Sequence, residues 1–375
     1  MIETLSLVDQ YCHGVLRTEL GLGTFEAQLG GRVGPAAPGT TFFDTQAGFA
    51  VRRWCPPLLG LEPHCPPAHY LARRRELGVL ESGRRLLRST GVTTYLVDTG
   101  LPGGDLTGPG EIAAAGAADA REIVRLEPLA ERVADTSCGV ADLLAGLDRA
   151  VRTAAATAVA FTSVAGVRHE LALAPEPPGH AEVRAAAGRW LAVREAGGPL
   201  DDPVLLRHLL WLALGSGLPL QLHTGTRDAH APAGGADPAL VTAFASATAG
   251  LGTPLVLLGA YPYHRHAAQL TSVFPHVYAD LGPALAHTGA RAAAVLAEIL
   301  ELAPFGKLLF SSGARALPEL HVVGARVFRE ALVRVLGGWV ADGAWSLTDA
   351  QRVAGMIAAG NARRLYGLSD GRGQP

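Results

Sequence analysis

Eight short apolar segments recur along this chain, and longer segments with helical periodicity separate most of them. Most of the short segments are continuously apolar rather than alternating, which is typical of parallel strands covered on both faces. Eight strands that alternate with helices predict an α/β fold, a (β/α)8 TIM barrel, with an open doubly wound sheet as the alternative. The predicted strands cover residues 5–9, 93–98, 122–127, 157–163, 218–223, 254–259, 276–281 and 307–312.

The length and spacing of the segments bear on domain organisation. A chain of 375 residues suits one large barrel domain over residues 1–375. No glycine-rich phosphate loop follows an early strand, which disfavours a nucleotide-binding open sheet. Residues 10–90 form a long insertion between the first two strands. We expect this insertion at the carboxyl-terminal mouth of the barrel, where it either acts as a lid or plugs the barrel end.

Charge and cysteine content exclude several kinds of partner. The net charge is −2 and the basic residues are scattered, so neither nucleic acid nor a membrane surface is an expected partner. The four cysteines form no C-x-x-C pair, and the first residues lack the pattern of a signal peptide. No apolar run reaches the ~18–20 residues of a membrane helix. We therefore expect a cytoplasmic protein with reduced thiols.

Five segments carry a pattern found together in one family. They read VDQYCH at residues 8–13, LHTG at 222–225, YPYHR at 261–265, VYADL at 277–281 and NARRLY at 361–366. Together they resemble the amidohydrolase-related family of metal-dependent TIM-barrel hydrolases, in the branch that also occurs fused to glutamine synthetase. The resemblance extends over essentially the whole chain, and it implies a divalent ion at the barrel mouth that activates water and polarises the substrate.

The resemblance also exposes a deficit in the implied metal site. His13 and His223 match ligand positions on strands one and five, but Tyr11, Gly259 and Gly313 stand where His, His and Asp are expected. Two histidines make an incomplete site, since catalytic zinc usually has three protein ligands. We expect a degenerate metal site and no metal cofactor. The alternative is a single divalent ion, such as zinc or manganese, with unorthodox ligands that include Tyr11.

The surviving polar residues are the candidates for chemistry and binding. His13 and His223 are predicted to act as a general acid and base, with Tyr11 polarising a carbonyl group, although hydrogen-bonded or space-filling roles remain open for all three. Arginine pairs bidentately with carboxylates, so basic residues near strand ends are candidates for an anionic substrate group. The predicted substrate-binding residues are Arg168, His264, Arg265 and Asp280, with the last also considered as a buried partner for a basic group.

Three functions follow from this pattern. The first is a metal-independent hydrolase, lyase or transferase for a small molecule, with a tailoring role in specialised metabolism suggested by analogy. The second is a catalytically inactive barrel that binds a ligand or a partner. The third is a metal-dependent C–N hydrolase or decarboxylase. Barrels of this kind often pair, so a homodimer is a further expectation, although no interface pattern in the sequence decides it.

Overall fold

A ring of eight parallel strands organises the molecule. In this computed structural model the described residues are 6–30, 36–101, 105–168, 171–172, 174–194, 197–225 and 235–369. The strands pair in consecutive order from the first to the eighth. They are β1 (Leu7–Cys12), β2 (Val92–Asp98), β3 (Asp119–Arg125), β4 (Ala160–Ser163), β5 (Leu220–His223), β6 (Leu255–Leu258), β7 (Val277–Asp280) and β8 (Leu308–Leu309).

Hydrogen bonds between the first and last strands close this ring. The amide of Gln10 donates to the carbonyl of Phe310, and the amide of Gly313 donates to the carbonyl of Tyr11. The predicted (β/α)8 barrel is therefore confirmed, and each predicted strand overlaps an observed one. The bounds differ most at β1, which ends three residues later than predicted, and at β3, which begins three residues earlier, while β8 is only two residues long.

Helices follow most strands and cover the outside of the barrel. They are α1 (Leu22–Gly30), α2 (Gln46–Trp54), α3 (Pro67–Leu77), α4 (Val79–Arg88), α5 (Pro109–Gly116), α6 (Leu126–Ala134), α7 (Val140–Ala155), α8 (Ala165–Arg168), α9 (His180–Arg194), α10 (Pro203–Gly215), α11 (Thr242–Thr248), α12 (His264–Val273), α13 (Ala284–Thr288), α14 (Ala292–Leu300), α15 (Pro318–Ala341), α16 (Leu347–Gly355) and α17 (Asn361–Leu365), with a π-helical turn at Met356–Gly360. Among the described helices, none is long and apolar enough to cross a membrane.

The insertion at residues 10–90 contains the first four helices. Its α2 packs against α15 on the outside of the barrel. The end of α1 reaches the mouth, where Gln28 and Leu29 line the central cavity. Part of the insertion thus borders the place where a ligand would bind, while lid action stays a prediction.

An irregularity in β1 sets the direction of its side chains. The pairing with β2 shifts between Asp9 and Cys12. Gln10 and Tyr11 both project into the barrel, where they contact residues of other strands. Cys12 belongs to the outer hydrophobic layer instead. The expectation that Cys12 faces away from Tyr11 and His13 is therefore confirmed, because the alternation of side-chain directions resumes after the irregularity at Gln10 and Tyr11.

Candidate active site at the barrel mouth

A cavity of about 440 Å³ lies at the carboxyl ends of the strands. Ligands of TIM barrels bind at this end, and small-molecule pockets typically measure ~300–1,000 Å³. Several of the predicted positions come together in its lining, namely Tyr11, His13, His223, Gly259, Asp280 and Gly313. Two arginines that were not predicted, Arg125 and Arg315, also line it.

The Tyr11 hydroxyl is the centre of a buried polar cluster. It lies 2.8 Å from Oδ2 of Asp98 and 3.0 Å from Nε2 of His13, and the Arg125 guanidinium donates to it across 3.2 Å. One phenolic proton thus has two neighbouring acceptors. Burial, followed by the charge of Asp98, raises the pKa of Tyr11 well above its ordinary value, so the hydroxyl keeps its proton at neutral pH.

The hydrogen bonds of His13 define its neutral form. Its Nδ1 lies 2.9 Å from the backbone carbonyl of Asp98, which can only accept, so Nδ1 carries the proton. Burial and then the positive charge of Arg125 lower the pKa of His13 to about 4 against the opposing effect of Asp98. A neutral imidazole has one remaining lone pair, and at His13 this is on Nε2, facing the Tyr11 hydroxyl.

The second imidazole of the cavity lies on the other side of Tyr11. The ring of His223 meets the phenol ring edge-on with centroids 5.0 Å apart, and the ring of His13 does the same at 5.2 Å. The structure therefore brings together the three residues proposed for proton transfer. His223 ends β5 and is partly exposed to the cavity.

An ion pair between Asp98 and Arg125 supports the cluster. Arg125 donates from both Nε and Nη2 to Oδ2 of Asp98, at 3.0 and 2.5 Å. Burial alone would raise the pKa of Asp98, but the charge of Arg125 outweighs it and holds this pKa below its usual value. Asp98 is thus an anion and Arg125 its counterion. Neither residue was predicted from the sequence, although each ends one of two neighbouring parallel strands.

Asp280 lies in the cavity wall among neutral partners. It accepts from the amide of Gly259 at 2.7 Å, and from Gln10 and Ser311 at 2.5 Å each. Burial raises its pKa to about 6, against the opposing effect of these three hydrogen bonds. Among the described residues, the hydrogen-bond partners of Asp280 carry no charge. The idea that Asp280 pairs with a basic residue is therefore wrong for this part of the chain.

The described residues at the mouth do not fit a divalent ion. Gly259 and Gly313 supply no donor atoms, and Nε2 of His13 already faces the Tyr11 hydroxyl. The Arg125 guanidinium beside that hydroxyl is a fixed positive charge that disfavours a second cation. Among the described residues, no three His, Cys, Asp or Glu side chains in this cavity converge to metal-binding distance. The described residues thus offer fewer free metal ligands than the two matching histidines, His13 and His223, suggested.

The structure does not bring the other predicted residues to this cavity. His264 is buried at the start of α12, where Nε2 lies 3.0 Å from a carboxylate oxygen of Glu298. Arg265 donates to Glu301 on the protein surface at 2.8 Å. Neither residue lines the cavity. Their side chains contact Glu298, which lies in α14, and Glu301, which directly follows it. Arg168 ends α8, and its side chain lies outside the described residues.

Comparisons with known proteins place this chain among amidohydrolase-like barrels. No protein-family model matches it. The FluG protein of Emericella nidulans is 34% identical over 153 residues, which make up 40% of this chain and only 18% of that relative. This match fits the branch that is fused to glutamine synthetase.

Solved structures give a match over the whole chain. A protein from Lactobacillus casei ATCC 334, described as a metal-dependent hydrolase, superposes with a TM-score of 0.85 and 25% identity over 98% of this chain and 96% of its own. Glucuronate isomerase from Caulobacter crescentus gives 0.64 and 14% over 98% and 92% of the two chains, and it shares the fold. The resemblance to amidohydrolase-like barrels is confirmed, and the Lactobacillus protein supports an enzyme of this kind.

Proposed function

We propose that this amidohydrolase-like barrel is an enzyme that moves protons on a small anionic substrate with its own side chains, without a divalent ion at the mouth. The observation that carries the proposal is the Tyr11 hydroxyl, which has His13 and Asp98 as acceptors and Arg125 as a donor. A degenerate metal site would normally lose its chemistry. Here a buried acid–base cluster occupies the same end of the barrel.

The cluster can relay a proton. A substrate atom that contacts the Tyr11 oxygen gives up its proton as the phenolic proton moves to Nε2 of His13, and the reverse transfer returns it. Arg125 stabilises negative charge that develops on the phenol oxygen during this exchange. Because the pKa of Tyr11 is raised, the two transfers are coupled and no free phenolate accumulates. A positioned acid–base group of this kind contributes ~10²–10⁴-fold to a rate.

The charge of the cavity favours an anionic substrate. Arg125 and Arg315 line it, and no described residue forms an ion pair with Arg315, whose side chain is exposed at the rim. Asp280 opposes them mainly above its raised pKa of about 6, since it is largely neutral below that pH. A guanidinium binds a carboxylate through two parallel hydrogen bonds. We therefore propose a small carboxylate whose reaction is hydrolysis, lysis or group transfer next to a carbonyl group.

A substrate screen with matched variants tests this function. The chelator-dialysed protein is assayed on carboxylate-bearing amides, lactones and 2-keto acids. We expect turnover that Tyr11→Phe and His13→Gln each reduce by ~10²–10⁴-fold. Tyr263→Phe serves as the control, because this tyrosine lies outside the cavity.

Three results would contradict the proposal. One is full turnover in Tyr11→Phe and His13→Gln. Another is a zinc or manganese ion bound at the mouth, whose removal by the chelator abolishes turnover and whose return restores it. The third is saturable ligand binding with no turnover on any compound of the panel, which would identify an inactive, ligand-binding barrel.

A further inference from the structure

We infer that Asp9, Cys12 and His321 form a buried zinc site on the outer side of β1, separate from the barrel cavity. Each residue offers one ligand atom, and the three atoms lie within 4.8 Å of one another. All three side chains are almost completely buried, and none lines the mouth cavity. A carboxylate, a thiolate and an imidazole belong to the donor types that zinc prefers in proteins.

The state of His321 points to a missing ligand. Neither ring nitrogen has a hydrogen-bond partner among the described residues, although the side chain is 0% exposed. A buried polar group left without a partner costs about 1–3 kcal/mol, and such groups are rare in native proteins. Nδ1 lies 3.7 Å from Oδ2 of Asp9, which is too long for a hydrogen bond. Two ligands of one tetrahedral zinc ion are about 3.4 Å apart, so this spacing suits a shared ion.

The surroundings orient the other two donors. Ser312 donates to the Asp9 carboxylate from its amide at 2.8 Å and from its hydroxyl at 2.5 Å, which holds the carboxylate in place. The Cys12 thiol donates only a weak bond to the carbonyl of Leu96 at 3.6 Å. Zinc binds cysteine as the thiolate, so binding of the ion would release the thiol proton.

The position of the trio gives the ion a structural role. Asp9 and Cys12 belong to β1, and His321 lies in the first turn of α15. An ion between them would join the strand to its covering helix. Cys12 lies between Tyr11 and His13 in the chain. The site would therefore hold, from the outer side, the strand that carries the proposed proton relay.

Metal content and cobalt spectroscopy test the site. Protein expressed with zinc and purified without chelator is analysed for metals, and then exchanged with cobalt(II). We expect stoichiometric zinc and a thiolate-to-cobalt charge-transfer absorption in the wild-type protein. Cys12→Ser and His321→Gln should each lose most of the metal, and Cys12→Ser should lose the charge-transfer band.

Two control variants locate the ion. Cys55→Ser removes another buried thiol, which contacts the backbone of Glu319 on the same helix, and it should keep the metal. His223→Ala alters the mouth and should keep it as well. Wild-type protein that takes up neither zinc nor cobalt would overturn the inference, as would a metal that survives Cys12→Ser or disappears in His223→Ala. The wild-type cobalt spectrum decides the matter even where a variant fails to fold.

Discussion

Pro283 fills the space that a side chain at Gly313 would need. A Cβ atom placed on Gly313 would lie 2.4 Å from Cδ of Pro283, and the backbone there has a φ of +54°. Related barrels are expected to carry an aspartate at this position. The backbone conformation and the packing around Gly313 therefore leave no room for an aspartate side chain, because Pro283 occupies that space.

Matched glycine variants measure this closure. Gly259 also has a positive φ, +64°, but a Cβ there would meet only the carbonyl oxygen of Thr224 at 3.8 Å. Gly259→Ala should cost about 1–2 kcal/mol from the left-handed backbone alone. Gly313→Ala should cost about 1–3 kcal/mol more, since it adds a clash in a packed region. Denaturant unfolding measures both, and equal losses would show that Pro283 moves aside freely.

The pKa of Asp280 predicts a pH-dependent contribution to stability. Its folded-state pKa of about 6 exceeds the ordinary value of 3.8, and Asp9 is the charged group that adds to the effect of burial. A carboxyl group with a raised pKa stabilises the fold below its unfolded pKa, and this contribution is lost as the pH rises through the folded pKa.

Comparison with Asp280→Asn isolates this contribution. The stability of the wild-type protein relative to the variant should fall by up to about 3 kcal/mol between pH 4 and pH 7 and change little outside that window. Urea unfolding at several pH values measures the difference. A difference that stays constant over the whole range would show that Asp280 titrates normally.

The sequence predicted the barrel well because parallel strands buried on both faces leave continuous apolar runs. It predicted β8 as residues 307–312, whereas the strand ends at Leu309 and the following residues bond to the irregular end of β1. Such pairing depends on partners about 300 residues away in the chain. The local pattern contains no information on them.

The candidate site was predicted only where a motif marked it. Tyr11, His13 and His223 occupy positions of known pattern, and the structure brings them together. Asp98 and Arg125 were missed because a single acid and a single base 27 residues apart are common in any chain. The usable signal was their position, since both end neighbouring parallel strands and therefore share the mouth. His264 was predicted as a site residue but lies away from the cavity, because it contacts Glu298 of α14.

The buried ion pair of Asp98 and Arg125 should show strong coupling. Arg125→Met leaves Asp98 buried without its counterion and should cost about 3–5 kcal/mol. Adding Asp98→Asn to that variant should recover much of the loss, because no unpaired charge then remains. A double-mutant cycle in denaturant unfolding measures the coupling energy, and additive single effects would contradict a direct ion pair.

Arg315 should act on substrate affinity rather than on the fold. It is exposed at the cavity rim and no described residue forms an ion pair with it. If it binds the substrate carboxylate, Arg315→Ala should raise KM about 10–100-fold, the effect of losing a charged hydrogen bond, while kcat and stability change little. Arg265→Ala is the matched control, since this exposed arginine pairs with Glu301 away from the cavity. Steady-state kinetics on a carboxylate substrate separates the two, and an unchanged KM in Arg315→Ala would remove this arginine from the binding site.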